Sequence, residues 1–160
     1  MHAKPQKEHK WLEKLVGEWN SVAEMSMAAG EPTMTFNGTE TVRSLGGLWT
    51  LGEGEGEMPG GDIGKTMLTL GYDPSKQRFV GTWIGSMMTH MWIYDGKLDA
   101  SGKVLTLDSE GPSMKGDGKM AKYRDIVEFK NRNHRLLHSE VLGSNRKWQR
   151  FMTAHYRRKK

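Results

Sequence analysis

The stretch GTWIGSMMTHMWIYDG, residues 81–96, places one imidazole among two indoles and three thioethers. Its alternation predicts a strand over 87–98 on which four large side chains share one face: Met88, His90, Trp92 and Tyr94. A neutral imidazole in such surroundings can donate to a bound molecule or act as a general base. It can equally be a core histidine that bonds a backbone carbonyl or a threonine hydroxyl. Which face of the strand looks inward stays open, because Thr89, Met91 and Ile93 also form a regular face.

The last predicted strand, residues 148–157, carries an arginine among aromatic residues. Alternation places five of its side chains on one face: Trp148, Arg150, Met152, Ala154 and Tyr156. A guanidinium beside aromatic rings suits the polar group of a ligand. We therefore expect Arg150 to be a polar ligand contact, together with His90 and with Tyr123 of the strand predicted over 121–130.

The segment GEGEGE, residues 52–57, alternates three carboxylates with three glycines. Period-two geometry puts Glu53, Glu55 and Glu57 on one face and the glycines on the other. Calcium needs six to eight oxygen ligands, and no aspartate-rich loop accompanies these three. The pattern therefore favours a solvated outer face, with the glycines turned inward where large side chains cross the interior.

The sequence predicts no catalytic residue, no metal site and no cofactor. There is no cysteine, which excludes disulfides, thiolate metal sites and cysteine nucleophiles. The histidines form no His-x-His or His-Glu-x-x-His pair, which argues against zinc. Gly-x-Ser-x-Gly elbows, phosphate loops and dinucleotide fingerprints are also missing. The sequence thus favours binding over catalysis.

Charge and hydropathy bear on the partners. The formal net charge is +5, but four of the basic residues form a tail at 157–160, without which acidic and basic residues nearly balance. Nucleic acid is therefore not an expected partner. No apolar run is long enough to span a membrane, and the first ten residues do not read as a signal peptide. The expected location is cytoplasmic.

The elements that position these residues are one helix and about ten strands in a single domain, residues 1–160. Trp11, Leu12, Leu15 and Val16 form an apolar stripe that predicts a helix over about 7–16. Short alternating runs separated by glycine-rich turns predict the strands, over 19–27, 34–44, 48–57, 66–72, 79–84, 87–98, 104–111, 121–130, 135–142 and 148–157. Short connections favour antiparallel neighbours, and closure into an up-and-down β-barrel removes exposed edges.

Several segments together resemble the bacterial family called domain of unknown function 1579, from about His9 to Arg158. They are HKWLEKLVGEW, GTETVRSLGGLW, GEGEGEMPGG, TLGYDPSKQRFVGTWIGSMMTHMW, LTLDSEGP, AKYRDIVEF and RFMTAHYRR. The resemblance implies an all-β, calycin-like barrel, related in shape to lipocalins and fatty-acid-binding proteins. It implies no reaction and no catalytic residues. The GEW at Gly17 to Trp19 is similar to the Gly-x-Trp that opens many lipocalin barrels.

A second resemblance raises the alternative of haem. Nitrobindins are calycin-like barrels that bind haem through a histidine near the C-terminus, and His155 has a similar place in this chain. The first strand, GEWNSVAEM, departs from the GxWxGxGxG of those proteins.

These observations lead to one main functional hypothesis and three alternatives. The main hypothesis is a barrel that binds a small, partly apolar ligand, with an apolar lining of Trp19, Phe36, Trp83, Met88, Trp92 and Trp148. The first alternative is a small hydrolase or isomerase in which His90 acts as general base beside Asp125 or Glu40. The second is the haem barrel with His155 as ligand. The third is an interaction module that forms a homodimer.

Overall fold

The N-terminal helix begins where the apolar stripe predicts, but its α-helical part is shorter than the predicted 7–16. The computed structural model describes residues 2–26 and 31–160, and in it α1 spans Lys7–Leu12 and continues as a 3₁₀ turn over Glu13–Leu15. The backbone N–H of Gln6 donates to Nδ1 of His9 at 2.9 Å and closes the start of the helix. The buried face consists of Trp11, Leu12 and Leu15 together with His9.

Ten strands follow, and each pairs antiparallel with its neighbours along the chain. Because β1 also pairs with β10, the sheet closes into a barrel. The all-β, up-and-down, calycin-like barrel is therefore confirmed. The strands are β1 (Gly17–Met25), β2 (Met34–Leu45), β3 (Trp49–Glu57), β4 (Ile63–Asp73), β5 (Arg78–Gly85), β6 (Trp92–Leu98), β7 (Val104–Pro112), β8 (Met120–Asn131), β9 (His134–Leu142) and β10 (Trp148–Arg158). Met27, placed in the first strand by the sequence, lies outside the described residues.

The helix closes one end of the barrel. The indole of Trp11 packs edge-on against Phe79 and Phe129, with ring centroids 6.0 and 5.5 Å apart. Its Nε1–H donates to the carbonyl of Gly102 at 2.6 Å, which ties the helix to the β6–β7 turn. The largest fully buried side chains lie in this half of the molecule: Leu12, Trp19, Leu70, Phe79, Leu105 and Leu107. This half is a filled hydrophobic core.

The strand predicted over 87–98 begins only at Trp92. Ser86 forms two hydrogen bonds with Lys65 of β4: its backbone N–H donates to the Lys65 carbonyl at 2.8 Å, and its Oγ accepts from the Lys65 N–H at 2.9 Å. The chain just after β5 is therefore hydrogen-bonded to β4 and does not continue the pairing with β6. The prediction that Met88 and His90 lie on a strand is wrong, since both belong to the connecting loop.

Two other sequence features have clear outcomes. Glu53, Glu55 and Glu57 are exposed, while a Cβ on Gly52 would come within 2.8 Å of the Glu40 carboxylate inside the barrel. The solvated outer face is thus confirmed. The predicted basic tail is shorter than 157–160, because β10 continues to Arg158, whose guanidinium donates to the carbonyls of Val16 at 2.6 Å and Arg132 at 2.9 Å. Within the described part of the chain, no helix has the length and apolar character to cross a membrane.

Candidate functional site

The end of the barrel opposite the helix is surrounded by turns. They include 58–62, 86–91, 113–119 and 143–147, which connect alternate pairs of strands. Methionines from these turns and from the adjoining strand ends lie around this end of the barrel: Met25, Met34, Met58, Met87, Met88, Met91, Met114, Met120 and Met152. Thioether side chains are flexible and polarizable, and they adapt to ligands of varied shape. We call this end the open end.

Aromatic side chains line the barrel wall just inside the open end. Trp83 and Trp92 face each other across β5 and β6. The Trp92 ring meets Tyr123 edge-on at 5.0 Å, and Tyr123 meets Phe151 at 6.3 Å. A Cβ on Gly111 would lie 2.1 Å from the Trp92 indole, so only glycine leaves room for that ring. Trp83, Trp92 and Tyr123 thus share the inner wall, as the predicted ligand site requires.

His90 and Met88 sit at the edge of this wall. The Nε2 of His90 bonds the carbonyl of Glu110 at 2.9 Å, and its ring meets Trp92 edge-on at 4.8 Å. Met88 Sδ accepts the indole N–H of Trp92 at 3.1 Å. His90 therefore makes the bond of an ordinary structural histidine to a backbone carbonyl, and it joins the 86–91 loop to β7.

His90 also borders a cleft between β6 and β7, whose lining includes Tyr123 of the inner wall. The β6–β7 ladder starts at the pair Asp95 and Asp108, so the two strands are unpaired between that pair and the open end. A cleft of about 580 Å³ lies there, with His90 and Glu110 on its lining. The pKa of Asp108 is raised, first by burial and then by the charge of Asp95.

A polar layer crosses the barrel between the aromatic wall and the filled core. Asp125 of β8 accepts hydrogen bonds from the Tyr94 hydroxyl at 2.6 Å and from Ser139 Oγ at 2.7 Å. Burial raises the pKa of Asp125, and the two hydroxyl donors oppose that shift. Burial and the Asp125 charge raise the pKa of Tyr94 well above its usual value.

A buried ion pair completes this layer. Arg135 of β9 donates to the carboxylate of Glu40 on β2. The guanidinium stacks over Tyr156 at 4.0 Å and over Trp19 at 4.7 Å. Arg135 Nε is the one buried side-chain polar atom without a hydrogen-bond partner among the described residues. The hydroxyl of Tyr156, a partly exposed residue, makes no hydrogen bond within the described residues either, and burial raises its pKa.

The half of the barrel nearer the open end is packed less completely than the half beside the helix. Four residues here that share the inward parity remain partly exposed, as do Asp125 and Tyr156 at the level of the polar layer; the four are Ala23, Phe36, Leu68 and Trp83. Of the glycines that face inward here, Gly56 leaves free space, because a Cβ there would meet no atom closer than 3.7 Å, whereas Trp83 and Met87 fill the space beside Gly85. Inward-facing side chains that keep exposed surface are not fully packed against one another.

The prediction that Trp148 and Arg150 line the interior is wrong. A β-bulge between Arg150 and Met152 shifts the register of β10 against β9. Such a bulge adds one residue and therefore reverses the facing of the residues beyond it. Arg150 lies opposite Glu140 on the outer face, and Arg124 stacks over the Trp148 ring at 4.2 Å. Although burial alone raises the pKa of Glu140, bonds from Arg124 and Arg150 hold it below its usual value.

The structure argues against the haem alternative, because the proposed iron ligand, His155, does not face the interior of the barrel. His155 lies on the outer face of β10, where its ring stacks on His134 with centroids 5.2 Å apart. The two rings share a hydrogen bond between Nε2 of His134 and Nδ1 of His155 at 2.9 Å. Because alternate residues face opposite sides of a strand, His155 points away from the interior that holds Tyr156. It is therefore not placed to ligate a haem inside the barrel.

The general-base alternative also fails on geometry. Asp125 is bonded to two hydroxyls and Glu40 to Arg135, so neither carboxylate is the partner of His90.

Trp19, a predicted lining residue, is fully buried in the core near the helix and donates Nε1–H to the Leu15 carbonyl at 2.8 Å. Among the described residues, no group of three or more potential metal-ligating side chains lies together.

Several interior polar residues were not predicted as ligand contacts. Asp125 alternates with Tyr123, Val127 and Phe129 on the inward face of β8. Its parity with apolar neighbours is the signal that could have identified it, because a carboxylate at a core position of a strand needs a specific reason. Glu40 carries the same signal, because it shares the inward face of β2 with the apolar Val42.

The comparisons with known proteins agree with this architecture. Residues 4–158 match the family described as "Protein of unknown function (DUF1579)", and the chain belongs to that family. No curated protein matches the chain.

Several solved structures share the fold at low sequence identity, including the following three. S-type phycobiliprotein lyase CPES from Guillardia theta has a TM-score of 0.61 and 14% identity, and the match covers 99% of both chains. Rv2717c from M. tuberculosis has a TM-score of 0.69 and 10% identity, covering 98% of this chain and 100% of the other. The structure of EF1p2_mFAP2b bound to DFHBI has a TM-score of 0.51 and 9% identity, covering 94% and 98%. At these identities the likeness shows the calycin-like barrel alone.

Proposed function

We propose that this protein binds a small, partly apolar molecule inside the barrel, between the aromatic wall and the polar layer. The molecule enters at the open end, because the helix and the filled core occupy the other end. The observation that carries the proposal is the partial exposure of Asp125 and Tyr156, two inward-facing side chains below a wall of aromatic rings. Such a site, apolar with a few convergent polar groups, is typical of small-molecule pockets.

Two groups of interior residues have different roles: the aromatic rings provide affinity for the ligand, and the polar layer orients it. Trp83, Trp92 and Tyr123 offer apolar ring surface, and burial of apolar area contributes roughly 25 cal/mol per Å². The polar layer below offers the Tyr156 hydroxyl, which has no partner within the described residues. One structurally similar protein was solved bound to DFHBI, which supports the idea that a barrel of this shape accommodates a small molecule.

A neutral fluorescent probe tests the proposal. N-phenyl-1-naphthylamine is apolar and emits strongly only in an apolar site, so we expect saturable fluorescence on titration into the protein. Ala23→Phe fills the inward side of β1 beside Phe36 and Ala154. It should weaken binding by about tenfold or more, which corresponds to about 1.4 kcal/mol.

Val22→Phe is the matched control, because the neighbouring side chain is exposed on the outer face of the same strand. It should leave the affinity within about twofold of the wild type. Circular dichroism and thermal unfolding establish that both variants fold. Failure of the wild type to bind the probe, or equal weakening by both substitutions, would contradict an interior site.

A further inference from the structure

The charges of the polar layer do not balance. Glu40 and Arg135 form an ion pair and cancel each other. Asp125 has no basic side chain within ion-pair distance in the described part of the chain, and its bonded partners are two neutral hydroxyls. The layer therefore carries one negative charge in excess when Asp125 is ionised. An uncompensated carboxylate away from bulk water is costly, and a cation beside it removes much of that cost.

Aromatic rings surround the approach to this carboxylate. Tyr94 touches Asp125 directly, and Trp92 and Tyr123 lie two residues nearer the open end on the same inner faces. Two residues of a strand span roughly 6.6 Å, which is the reach of a short ligand. Aromatic faces attract cations through their quadrupoles, and desolvated sites strengthen the attraction.

We propose that the molecule bound in the barrel carries a cationic amine, which the Asp125 carboxylate and the surrounding tyrosine and tryptophan rings recognise. This inference rests on the proposed function, since it names the chemical class of the interior ligand. An anionic ligand is disfavoured at the same place. The Arg135 charge that would attract it is already matched by Glu40, and the Asp125 charge would repel it.

The protonation of Asp125 couples to such binding. Tyr94 from β6, Ser139 from β9 and Tyr156 from β10 face the carboxylate, with the Glu40–Arg135 pair beyond Tyr156. Burial raises the pKa of Asp125 in the empty protein. A bound cation favours the ionised carboxylate and thus lowers that pKa, so affinity for an amine falls when Asp125 becomes protonated.

Three probes of one shape and different charge test the inference. They are 4-phenylbutylamine, 4-phenyl-1-butanol and 4-phenylbutanoate, titrated by calorimetry at pH 8. We expect the amine to bind about tenfold tighter than the alcohol, and the carboxylate to bind weakest. In Asp125→Asn the amine should lose its advantage, with the alcohol within about twofold of its wild-type affinity. Glu53→Gln, which removes an exposed carboxylate from the outer face of β3, should leave the order of the three probes unchanged.

A second measurement needs no variant. The amine stays protonated between pH 8 and pH 4, so its advantage over the alcohol in the wild type should shrink as the pH falls. Equal affinity of amine and alcohol at pH 8, or an amine advantage that survives Asp125→Asn, would overturn the inference. So would a failure of all three probes to bind. Titration with N-phenyl-1-naphthylamine then separates the two ideas, because binding of that neutral probe retains the interior site and its absence removes both.

Discussion

At the scale of single residues, Asp125 links the stability of the barrel to its proposed chemistry. Its two hydroxyl donors come from β6 and β9, so one carboxylate joins three strands across the interior. If Asp125 served stability alone, an apolar side chain of similar size could replace it with no loss in the free energy of unfolding. A buried carboxylate without a basic partner is more typical of a functional position.

The raised pKa of Asp125 predicts a specific pH dependence of stability. The native carboxyl holds its proton at pH values where the unfolded chain, with its usual value of 3.8, has released it. Stability from this group is therefore complete below the unfolded value and is lost as the pH rises through the native value. Denaturant unfolding from pH 3 to pH 8 should show Asp125→Asn gaining in free energy of unfolding relative to the wild type. A difference that stays constant with pH, or reverses, would refute the assignment.

At the scale of elements, the strands follow from the sequence because alternation and turn residues specify them locally. The predicted and observed limits of β2, β7 and β9 differ by one residue or less at each end. The start of β6 could not be predicted, because hydrogen bonds from Ser86 to Lys65 and from His90 to Glu110 compete with the ladder to β5. The side of β10 on which Arg150 lies was predicted wrongly for a related reason. A β-bulge reverses it, and no residue pattern in the sequence indicates that bulge.

The helix provides a prediction at this scale. Trp11→Ala should lower the free energy of unfolding by about 3–5 kcal/mol, because the indole is buried against Phe79 and Phe129. Lys10→Ala, at an exposed position of the same helix, should change it by less than about 0.5 kcal/mol. Chemical denaturation measures both. In folded Trp11→Ala the affinity for N-phenyl-1-naphthylamine should stay within about twofold of the wild type. A collapse of that affinity would mean that the ligand site lies at the helix end.

At the scale of the whole molecule, the barrel has two unlike halves. The half beside the helix holds the largest fully buried side chains, and the other half holds partly exposed inward-facing ones such as Phe36 and Trp83. The sequence identified Trp83, Trp92 and Tyr123 because their parity matches that of the core. It did not separate the two halves, since the depth of a residue along the barrel depends on register across all ten strands. The cytoplasmic location and the choice between monomer and homodimer stay predictions.

The six tryptophans allow the central claim, binding inside the barrel, to be tested in one experiment. Their indole N–H groups report from three regions: the core by the helix (Trp11, Trp19), the outer face (Trp49, Trp148) and the inner wall at the open end (Trp83, Trp92). Proton–nitrogen correlation spectra of ¹⁵N-labelled protein, titrated with N-phenyl-1-naphthylamine, follow all six signals together. Binding inside the barrel predicts that the signals of Trp83 and Trp92 shift most, while those of Trp49 and Trp148 stay in place. Shifts confined to Trp49 and Trp148, with Trp83 and Trp92 unmoved, would contradict it.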